Sequence, residues 1–186
     1  AVVSAYAPHN MKDISETSVF YEDLHKLLRK TSTNGPRLIY GDFNARLGMQ
    51  RPGESDIIGD FSFGREAQRQ VEVPNRDLFV EFCVSCRYAV AQTFFQQADE
   101  DKATYHEPCT APMDTVTPIG FSMLDLIVVP QRWRQIVSEA SSDRFAALAS
   151  HHFLVWSKLS ITIAPPPLKL YRKVVDWSAL QGTAVR

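Results

Sequence analysis

A single acidic residue, Asp125, interrupts the apolar run MLDLIVV at residues 123–129. The run is far shorter than the roughly 20 apolar residues that a membrane-spanning helix needs. In a central strand of a soluble domain, a lone carboxylate is costly to bury unless it is paired or bound to a metal. The run therefore predicts a central strand in which Asp125 has a partner.

Two adjacent histidines supply a candidate partner. Ser150-His151-His152 comes directly before another apolar strand. A buried Asp beside a His can fix the orientation of the imidazole and raise its pKa, so that it stays protonated near a phosphate. The alternative is a structural Asp–His pair that ties two strands together. A zinc site using both histidines would require a backbone turn, because adjacent residues of a strand point to opposite faces.

Gly41-Asp42-Phe43-Asn44 follows the apolar run 38–40 and precedes a loop. Asp42 and Asn44 alternate and so point the same way at a strand end. The carboxylate can hold a metal-bound water, the amide can hydrogen-bond a phosphate oxygen, and Gly41 permits close backbone approach. This combination suits metal-assisted phosphodiester hydrolysis. The alternative is an ordinary turn in which both side chains cap backbone groups.

Short apolar strands alternate with helical patterns along the chain. Strands are predicted at 2–6, 37–41, 88–92, around 104–105, and at 123–129, 136–140 and 153–163, with loops at 44–72 and 107–120. One helix begins near Ser15 and ends by residue 34; a second opens at 74 or 75 and has four inward-facing residues, Leu78, Phe79, Phe82 and Cys83. The pattern indicates an α/β domain with a mixed sheet, because not every connection is a helix.

The charge and cysteine content narrow the functional class. The 186-residue chain has a formal net charge of −1, which counts against tight non-specific binding of nucleic acid but not against a nuclease with an acidic, metal-holding cleft. Cys83, Cys86 and Cys109 do not form an even disulfide framework. They are predicted to be simple core cysteines in a reducing compartment.

The chain begins abruptly in a predicted strand, so we expect it to be a fragment. The three prolines at 165–167 are predicted to end the domain. The interpretation is a domain over 1–163 followed by an extended linker over 164–186 toward an absent downstream domain.

Taken together, these motifs resemble the endonuclease/exonuclease/phosphatase superfamily. The order is AYAP with Tyr6, GDFNA at 41–45, LDLI at 124–127 and SHH at 150–152. The chain is most similar to the endonuclease domain of LINE-type, non-LTR retrotransposons, through LFVEFC at 78–83, AVAQTFF at 89–95, QRWR at 131–134 and HFLVWSKL at 152–159. The segment VDWSAL at 175–180 resembles the bridge toward a reverse transcriptase.

The resemblance implies a four-layer αββα sandwich, here without its first strands, and a catalytic site for phosphodiester cleavage with Mg²⁺ or Mn²⁺. It implies that Asp42 activates water and that Asn44 binds the scissile phosphate. Asp125 would hold His152, and His152 would stabilise charge on the phosphate. Tyr6 would donate to the phosphate or the leaving oxygen. Ser150 is a further candidate for substrate binding.

The resemblance also implies DNA as partner, a fused reverse transcriptase in the parent protein, no membrane association, a monomeric state and an intracellular, nuclear location. Two departures predict a weakened enzyme. The superfamily's upstream Asn and metal-binding Glu would precede Ala1, and His151 stands where the family has Asp. The expected metal ligands are therefore Asp42 and a weak His151, because hard cations prefer oxygen.

Two alternatives to the nicking endonuclease remain open. One is a phosphatase of the same superfamily that acts on sugar phosphates or inositol lipids. The other is a non-catalytic remnant retained as a binding module. The segment QRWR at 131–134 favours DNA, because basic and aromatic residues together suit backbone contact and stacking. Its alternative interpretation is a solvated turn with one core Trp.

Overall fold

The computed structural model describes residues 1–31, 35–64, 74–146 and 149–162. Its strands, in chain order, are β1 (Val2–Tyr6), β2 (Leu38–Asp42), β3 (Tyr88–Val90), β4 (Tyr105–His106), β5 (Phe121–Ser122), β6 (Asp125–Pro130), β7 (Val137–Asp143) and β8 (Leu154–Leu159). Two α-helices, α1 (Ile14–Lys30) and α2 (Pro74–Cys86), and short 3₁₀ helices at Ala91–Phe94, Asp99–Asp101 and Gln131–Ile136 connect them. The predicted tail 164–186 lies outside the described residues.

The main sheet has the order β1-β2-β6-β3. Strands β1 and β2 are parallel and are joined through α1, whereas β6 is antiparallel to both β2 and β3. The predicted mixed α/β sheet is therefore confirmed. Strands β7 and β8 form a separate antiparallel pair, and β4 and β5 form another.

The two faces of the main sheet carry two different cores. Leu126 and Val128 of β6 pack in a cluster with residues of both helices, whereas Ile127 and Val129 pack in a cluster with residues of β7. This alternation follows from the period of two residues in a strand. The described residues thus form a helical layer, the main sheet and the β7–β8 pair.

Most predicted elements occur where the periodicity places them, but two strands end earlier than predicted. The strand predicted at 153–163 ends at Leu159. The strand predicted at 88–92 ends at Val90, and a 3₁₀ helix begins at Ala91. The hydroxyl of Thr93 donates to the carbonyl of Val90 at 2.7 Å. This local side-chain bond, in which a Thr competes with sheet pairing, favours the turn.

A buried ion pair holds the long loop after β2, whose described part, residues 43–64, contains neither helix nor strand. The guanidinium of Arg76 in α2 donates through Nη1 and Nη2 to the two carboxylate oxygens of Glu54, at 2.9 and 2.6 Å. Its Nε donates to the carbonyl of Leu47 at 2.6 Å. Three donors in a planar fork thus attach the loop to the helix.

The cysteines are free, but only part of the prediction about them is right. Cys83 is buried in the core, where burial raises the pKa of its thiol, and Cys86 is half-buried. Cys109 is exposed, because the loop 107–120 that carries it lies at the surface. Among the helices of the described residues, none is both long and apolar enough to cross a membrane.

Candidate active site at one edge of the main sheet

Three predicted site residues meet at one edge of the main sheet because of strand register. Strand β2 ends at Asp42 and β6 begins at Asp125, and these two residues are direct partners across the antiparallel pair. Strand β1 ends at Tyr6, which is in register with Asp42 in the parallel pair. The edge therefore presents two carboxylates beside a tyrosine.

A short stretch of sheet brings His152 to the same edge. Phe153 donates its backbone N–H to the carbonyl of Thr104 at 2.8 Å, and His152 forms an isolated bridge with Tyr105. On the other side, Thr104 donates to the carbonyl of Ser122 at 2.9 Å. The segment 104–106 thus joins the residues before β6 to the residues before β8.

His152 lies between the two carboxylates. Its Nδ1 is 2.9 Å from Oδ2 of Asp125, and its Nε2 is 3.9 Å from Oδ2 of Asp42. The side chains of His152, Asp125 and Asp42 are 35%, 19% and 11% exposed, so water screens them only partly. Asp125 has the His partner that its place in an apolar strand requires.

The environment changes the acid–base properties of two of these groups. The hydrogen bond that the ring of His152 donates to Asp125 raises the pKa of His152, and the charges of Asp125 and Asp42 add to this rise while burial opposes it. Burial raises the pKa of Asp42 and the charge of Asp125 adds to this rise, while the hydrogen bond from Asn44 and the charge of His152 oppose it. The arrangement therefore favours an imidazolium beside a carboxylate of increased basicity, a combination suited to accepting a proton from water.

Asp42 and Asn44 form the backbone-capping turn that was the alternative interpretation of the GDFN motif. In this turn Asn44 still lies next to Asp42 at the candidate site. Its backbone N–H donates to Oδ1 of Asp42 at 2.8 Å, and its Nδ2 donates to the carbonyl of Ala7 at 2.8 Å. Its φ of +48° lies in the left-handed region, which Asn tolerates better than most residues. The turn orients Asp42 and links it to the loop after β1.

Gly41 is required by the close approach of two backbones. A Cβ at this position would lie 1.9 Å from the carbonyl oxygen of Ala5 in β1. No side chain fits such a gap, so the glycine allows β1 to pair with β2 immediately before Asp42. This is the close backbone approach that the motif predicts.

The other predicted site residues lie near the cluster formed by Asp42, Asp125 and His152 and make different contacts. Tyr6 is 71% exposed at the end of β1. Oγ of Ser150 accepts the backbone N–H of His152 at 3.0 Å, so this serine orients the histidine. The ring of His151 packs edge-on against His106 at 4.7 Å. The roles of Tyr6 and Ser150 in substrate binding, and of His151 and Asp42 in metal binding, stay predictions.

Two buried polar residues that the sequence motifs did not single out position Asp125. The side chain of Gln92 donates to the carbonyl of Asp125 at 2.8 Å and accepts the N–H of Ile127 at 2.7 Å. Oγ1 of Thr104 accepts the N–H groups of Leu124 and Asp125, both at 2.9 Å. The available signal was a polar residue inside an apolar stretch, since AVAQTFF contains Gln92.

The described residues contain no group of three or more His, Cys, Asp or Glu side chains arranged to hold a metal ion. Asp42 offers one carboxylate, whereas Oδ2 of Asp125 is occupied by His152. Mg²⁺ commonly uses one or two carboxylates together with water and substrate phosphate oxygens. One carboxylate is within what Mg²⁺ uses, so metal binding through Asp42 is compatible with the structure and stays a prediction.

Comparison with known proteins gives limited sequence relationships. No protein-family model matches the chain. Two proteins named craniofacial development protein 2, from Bos taurus and Tragulus javanicus, are each 32% identical to it over 176 residues. The match covers 92% of this chain but 26% and 27% of those proteins, respectively. The chain thus spans about a quarter of the length of the curated relatives it matches.

Solved structures give the fold. The 3′-5′ exonuclease NExo from Neisseria meningitidis aligns with a TM-score of 0.61 at 14% identity, over 86% of this chain and 61% of that chain. An AP endonuclease from Archaeoglobus fulgidus gives 0.54 at 12% identity, over 86% and 61%. The Xenopus laevis APE2 catalytic domain gives 0.52 at 16% identity, over 78% and 43%. The chain therefore shares the mixed α/β fold of these three solved structures.

Proposed function

We propose that this chain belongs to a DNA-nicking, divalent-metal-dependent phosphodiester hydrolase of the endonuclease/exonuclease/phosphatase superfamily. The placement of His152 between Asp125 and Asp42 is the observation that carries the proposal. The names of the structural neighbours, an exonuclease and an AP endonuclease, agree with DNA as substrate. The segments LFVEFC at 78–83, AVAQTFF at 89–95, QRWR at 131–134 and HFLVWSKL at 152–159 favour the endonuclease of a LINE-type retrotransposon.

The proposal assigns a role to each residue of the site, and the contacts of Asp42, Asp125 and His152 support three of these roles. Without a bound cation, Asp42 accepts the proton of the attacking water, because burial makes its carboxylate more basic. His152 carries the positive charge that stabilises negative charge on the phosphate, and Asp125 holds the ring through Nδ1 at 2.9 Å. Asn44 contacts the phosphate through its amide and Tyr6 through its hydroxyl. Positioning and charge stabilisation of this kind contribute most of the catalysis in phosphoryl transfer.

A bound Mg²⁺ or Mn²⁺ would supply Lewis-acid activation of the phosphate. Asp42 would hold the cation from the protein side, and when bound to it the carboxylate would orient the metal-bound water rather than accept its proton. Because the ion would then have one protein carboxylate and would lie near the imidazolium of His152, we expect weak metal binding. We therefore expect this polypeptide to nick DNA slowly.

Nicking of supercoiled plasmid tests the proposal. The assay compares the chain with its Asp42→Ala and His152→Gln variants, in Mg²⁺ or Mn²⁺ and with excess EDTA. The matched control is Asp23→Asn, which removes one negative charge from the exposed surface of α1. We expect the unaltered chain to nick plasmid slowly and EDTA to abolish this activity. Asp42→Ala and His152→Gln should lose the activity, whereas Asp23→Asn should keep it. Nicking that survives Asp42→Ala would show that another site or a contaminant is responsible.

A second exchange tests the role of position 151. His151→Asp restores the carboxylate of the superfamily motif, and oxygen ligands are the ones that Mg²⁺ prefers. We expect faster nicking at low Mg²⁺ concentration. An unchanged rate and metal dependence would mean that position 151 does not contribute to the metal site.

A phosphatase is the second candidate, favoured by one comparison. A further NExo structure from Neisseria is that of a 3′ phosphatase bound to product DNA hairpin, and it aligns over 86% of this chain with a TM-score of 0.60. Release of phosphate from a DNA strand with a 3′-phosphate, measured beside plasmid nicking, separates the two. Phosphate release without nicking would favour the phosphatase.

A further inference from the structure

A second cleft lies at the end of the main sheet opposite to Asp42 and Asp125. It has a volume of about 370 Å³, and its lining includes Arg37, Arg87 and Arg132. Strand β6 begins at Asp125 and ends at Pro130, which borders this cleft. At a rise of about 3.3 Å per residue, the two ends of the strand are about 17 Å apart.

The three arginines come from different segments of the chain. Arg37 precedes β2, and its Nε and Nη2 donate to the carbonyl of Thr31 at the end of α1, at 2.9 and 2.6 Å. Arg87 lies between α2 and β3 with a φ of +56°. Arg132 lies in the 3₁₀ helix after β6. The fold gathers them because β2, β3 and β6 place the ends opposite to the candidate active site side by side.

The cleft concentrates positive charge in a chain whose net charge is −1. Among the described residues that line it, none is an aspartate or a glutamate. Tyr88 also lines the cleft. Burial raises the pKa of its phenol, and the charges of Arg37 and Arg132 oppose that rise. The positive charges of two guanidinium groups therefore both lower the pKa of the Tyr88 hydroxyl. A surface of this kind favours an anion, and planar guanidinium groups match phosphate oxygens.

Trp133 lines the cleft and, being partly buried, also packs against the core cluster that contains Ile127 and Val129, as the core-Trp interpretation predicted. The guanidinium carbon of Arg132 lies 5.9 Å from the ring centroid of Trp133. The indole N–H of Trp133 is buried and has no hydrogen-bond partner among the described residues. Indole and guanidinium planes are the groups on which nucleic acid bases stack.

We propose that this cleft binds the phosphate of a nucleotide-sized ligand, with the arginines on the phosphate and Trp133 beside the base. Its volume is at the lower end of the range for small-ligand pockets, about 300 to 1,000 Å³. Two sources share this chemistry, a free nucleotide and the phosphorylated end of a nucleic acid strand. The site is independent of the proposed function, because none of its residues belongs to the cluster of Asp42, Asp125 and His152.

Isothermal titration calorimetry with adenosine 5′-monophosphate tests the proposal, beside inorganic phosphate, adenosine and a 5′-phosphorylated oligonucleotide as further probes. The test variant is Arg132→Gln. The matched control is Arg134→Gln, which lies in the same 3₁₀ helix but stacks on Phe94 at 4.0 Å and does not line the cleft. Both arginines are exposed, so the fold is expected to survive either change, and thermal unfolding checks this.

We expect the monophosphate to bind and adenosine to bind much more weakly. Arg132→Gln should weaken the binding of the monophosphate by about tenfold or more, since a charge-assisted hydrogen bond is lost, whereas Arg134→Gln should leave it nearly unchanged. Arg87→Asn is a second test variant, because Asn accepts a positive φ. Binding of the oligonucleotide as tight as that of the monophosphate would identify a strand end, and selective binding of the monophosphate a free nucleotide.

Three results would overturn the proposal. They are no binding of the monophosphate at millimolar concentration, equal affinity for adenosine, and an equal loss of affinity in the Arg134→Gln control. Asp42→Ala should leave the binding unchanged, which distinguishes failure at this cleft from failure at the candidate active site.

Discussion

Replacing Asp125 by Asn should lower the pKa of His152 and weaken the fold most at mildly acidic pH. The substitution keeps the size of the side chain and removes the charge that lies 2.9 Å from Nδ1. A hydrogen bond with a charged partner contributes about 1.5 to 3 kcal/mol, and about 1.4 kcal/mol corresponds to one pH unit. The His152 side chain is 35% exposed, so screening by water reduces this effect. We therefore expect the pKa to fall, and the stability lost where the imidazole is charged to be about 1 kcal/mol.

The pH dependence of stability follows from the direction of the shift. The pKa of His152 is raised above 6.5 in the folded chain. The folded state therefore binds the proton more tightly than the unfolded state, and the resulting stability is fully present below about pH 6.5. It is lost as the pH rises through the folded pKa. Asp125→Asn should thus reduce the free energy of unfolding by about 1 kcal/mol more at about pH 5.5 than at about pH 8.5.

Two measurements check this reasoning. Nuclear magnetic resonance titration of the histidine side chains gives the pKa of His152, with His152→Gln used to assign its signal. Urea unfolding at the two pH values gives the free energies. Asp23→Asn is the control, since it removes a charge from the exposed surface of α1. An unchanged pKa of His152 in Asp125→Asn would refute the pairing of His152 with Asp125. An equal fall of that pKa in the Asp23→Asn control would refute it as well.

Three further predictions concern the parts that hold the site, each measured by urea unfolding. Gly41→Ala should destabilise the fold by at least about 1 to 3 kcal/mol, because the new Cβ would lie 1.9 Å from the Ala5 carbonyl; a loss near zero would show that β1 separates freely from β2. Arg76→Ala should cost about 3 to 5 kcal/mol because it strands a buried carboxylate, whereas Arg51→Ala, from an exposed ion pair, should cost under about 1 kcal/mol; equal losses would contradict the role of burial. Gln92→Ala should cost about 1 to 3 kcal/mol by leaving buried backbone groups unpaired, and unaltered stability would mean that water replaces the amide.

Local pattern predicted much of the fold. Helices α1 and α2 and most strands occur where apolar periodicity places them, because side-chain burial has a period of 3.6 residues in a helix and two in a strand. The predicted end of β3 was wrong by two residues. There the hydroxyl of Thr93 donates a hydrogen bond to the carbonyl of Val90, and the spacing of apolar residues gives no sign of this contact.

The candidate site was partly predictable for a different reason. A carboxylate in an apolar strand needs a partner wherever the strand is buried, so the need of Asp125 for a partner follows from local sequence. That partner lies 27 residues away. The choice of His152 over His151 depends on the pairing of residues 104–106 with residues 151–153. The QRWR segment shows the limit of local pattern, since its Arg132 and Trp133 line a cleft at the opposite end of the sheet from Asp42.

Local sequence predicts which segments form strands and helices, and which side chains are costly to bury. Secondary structure depends on the neighbouring residues in the chain, and the cost of burial depends on the free energy of moving that side chain out of water. The tertiary structure sets which charged side chains lie close together. It places His152 beside two carboxylates at one edge of the main sheet, and it places Arg37, Arg87 and Arg132 around a cleft at the opposite edge. Those distances depend on strand order and register, which long-range backbone pairing sets and local pattern does not encode.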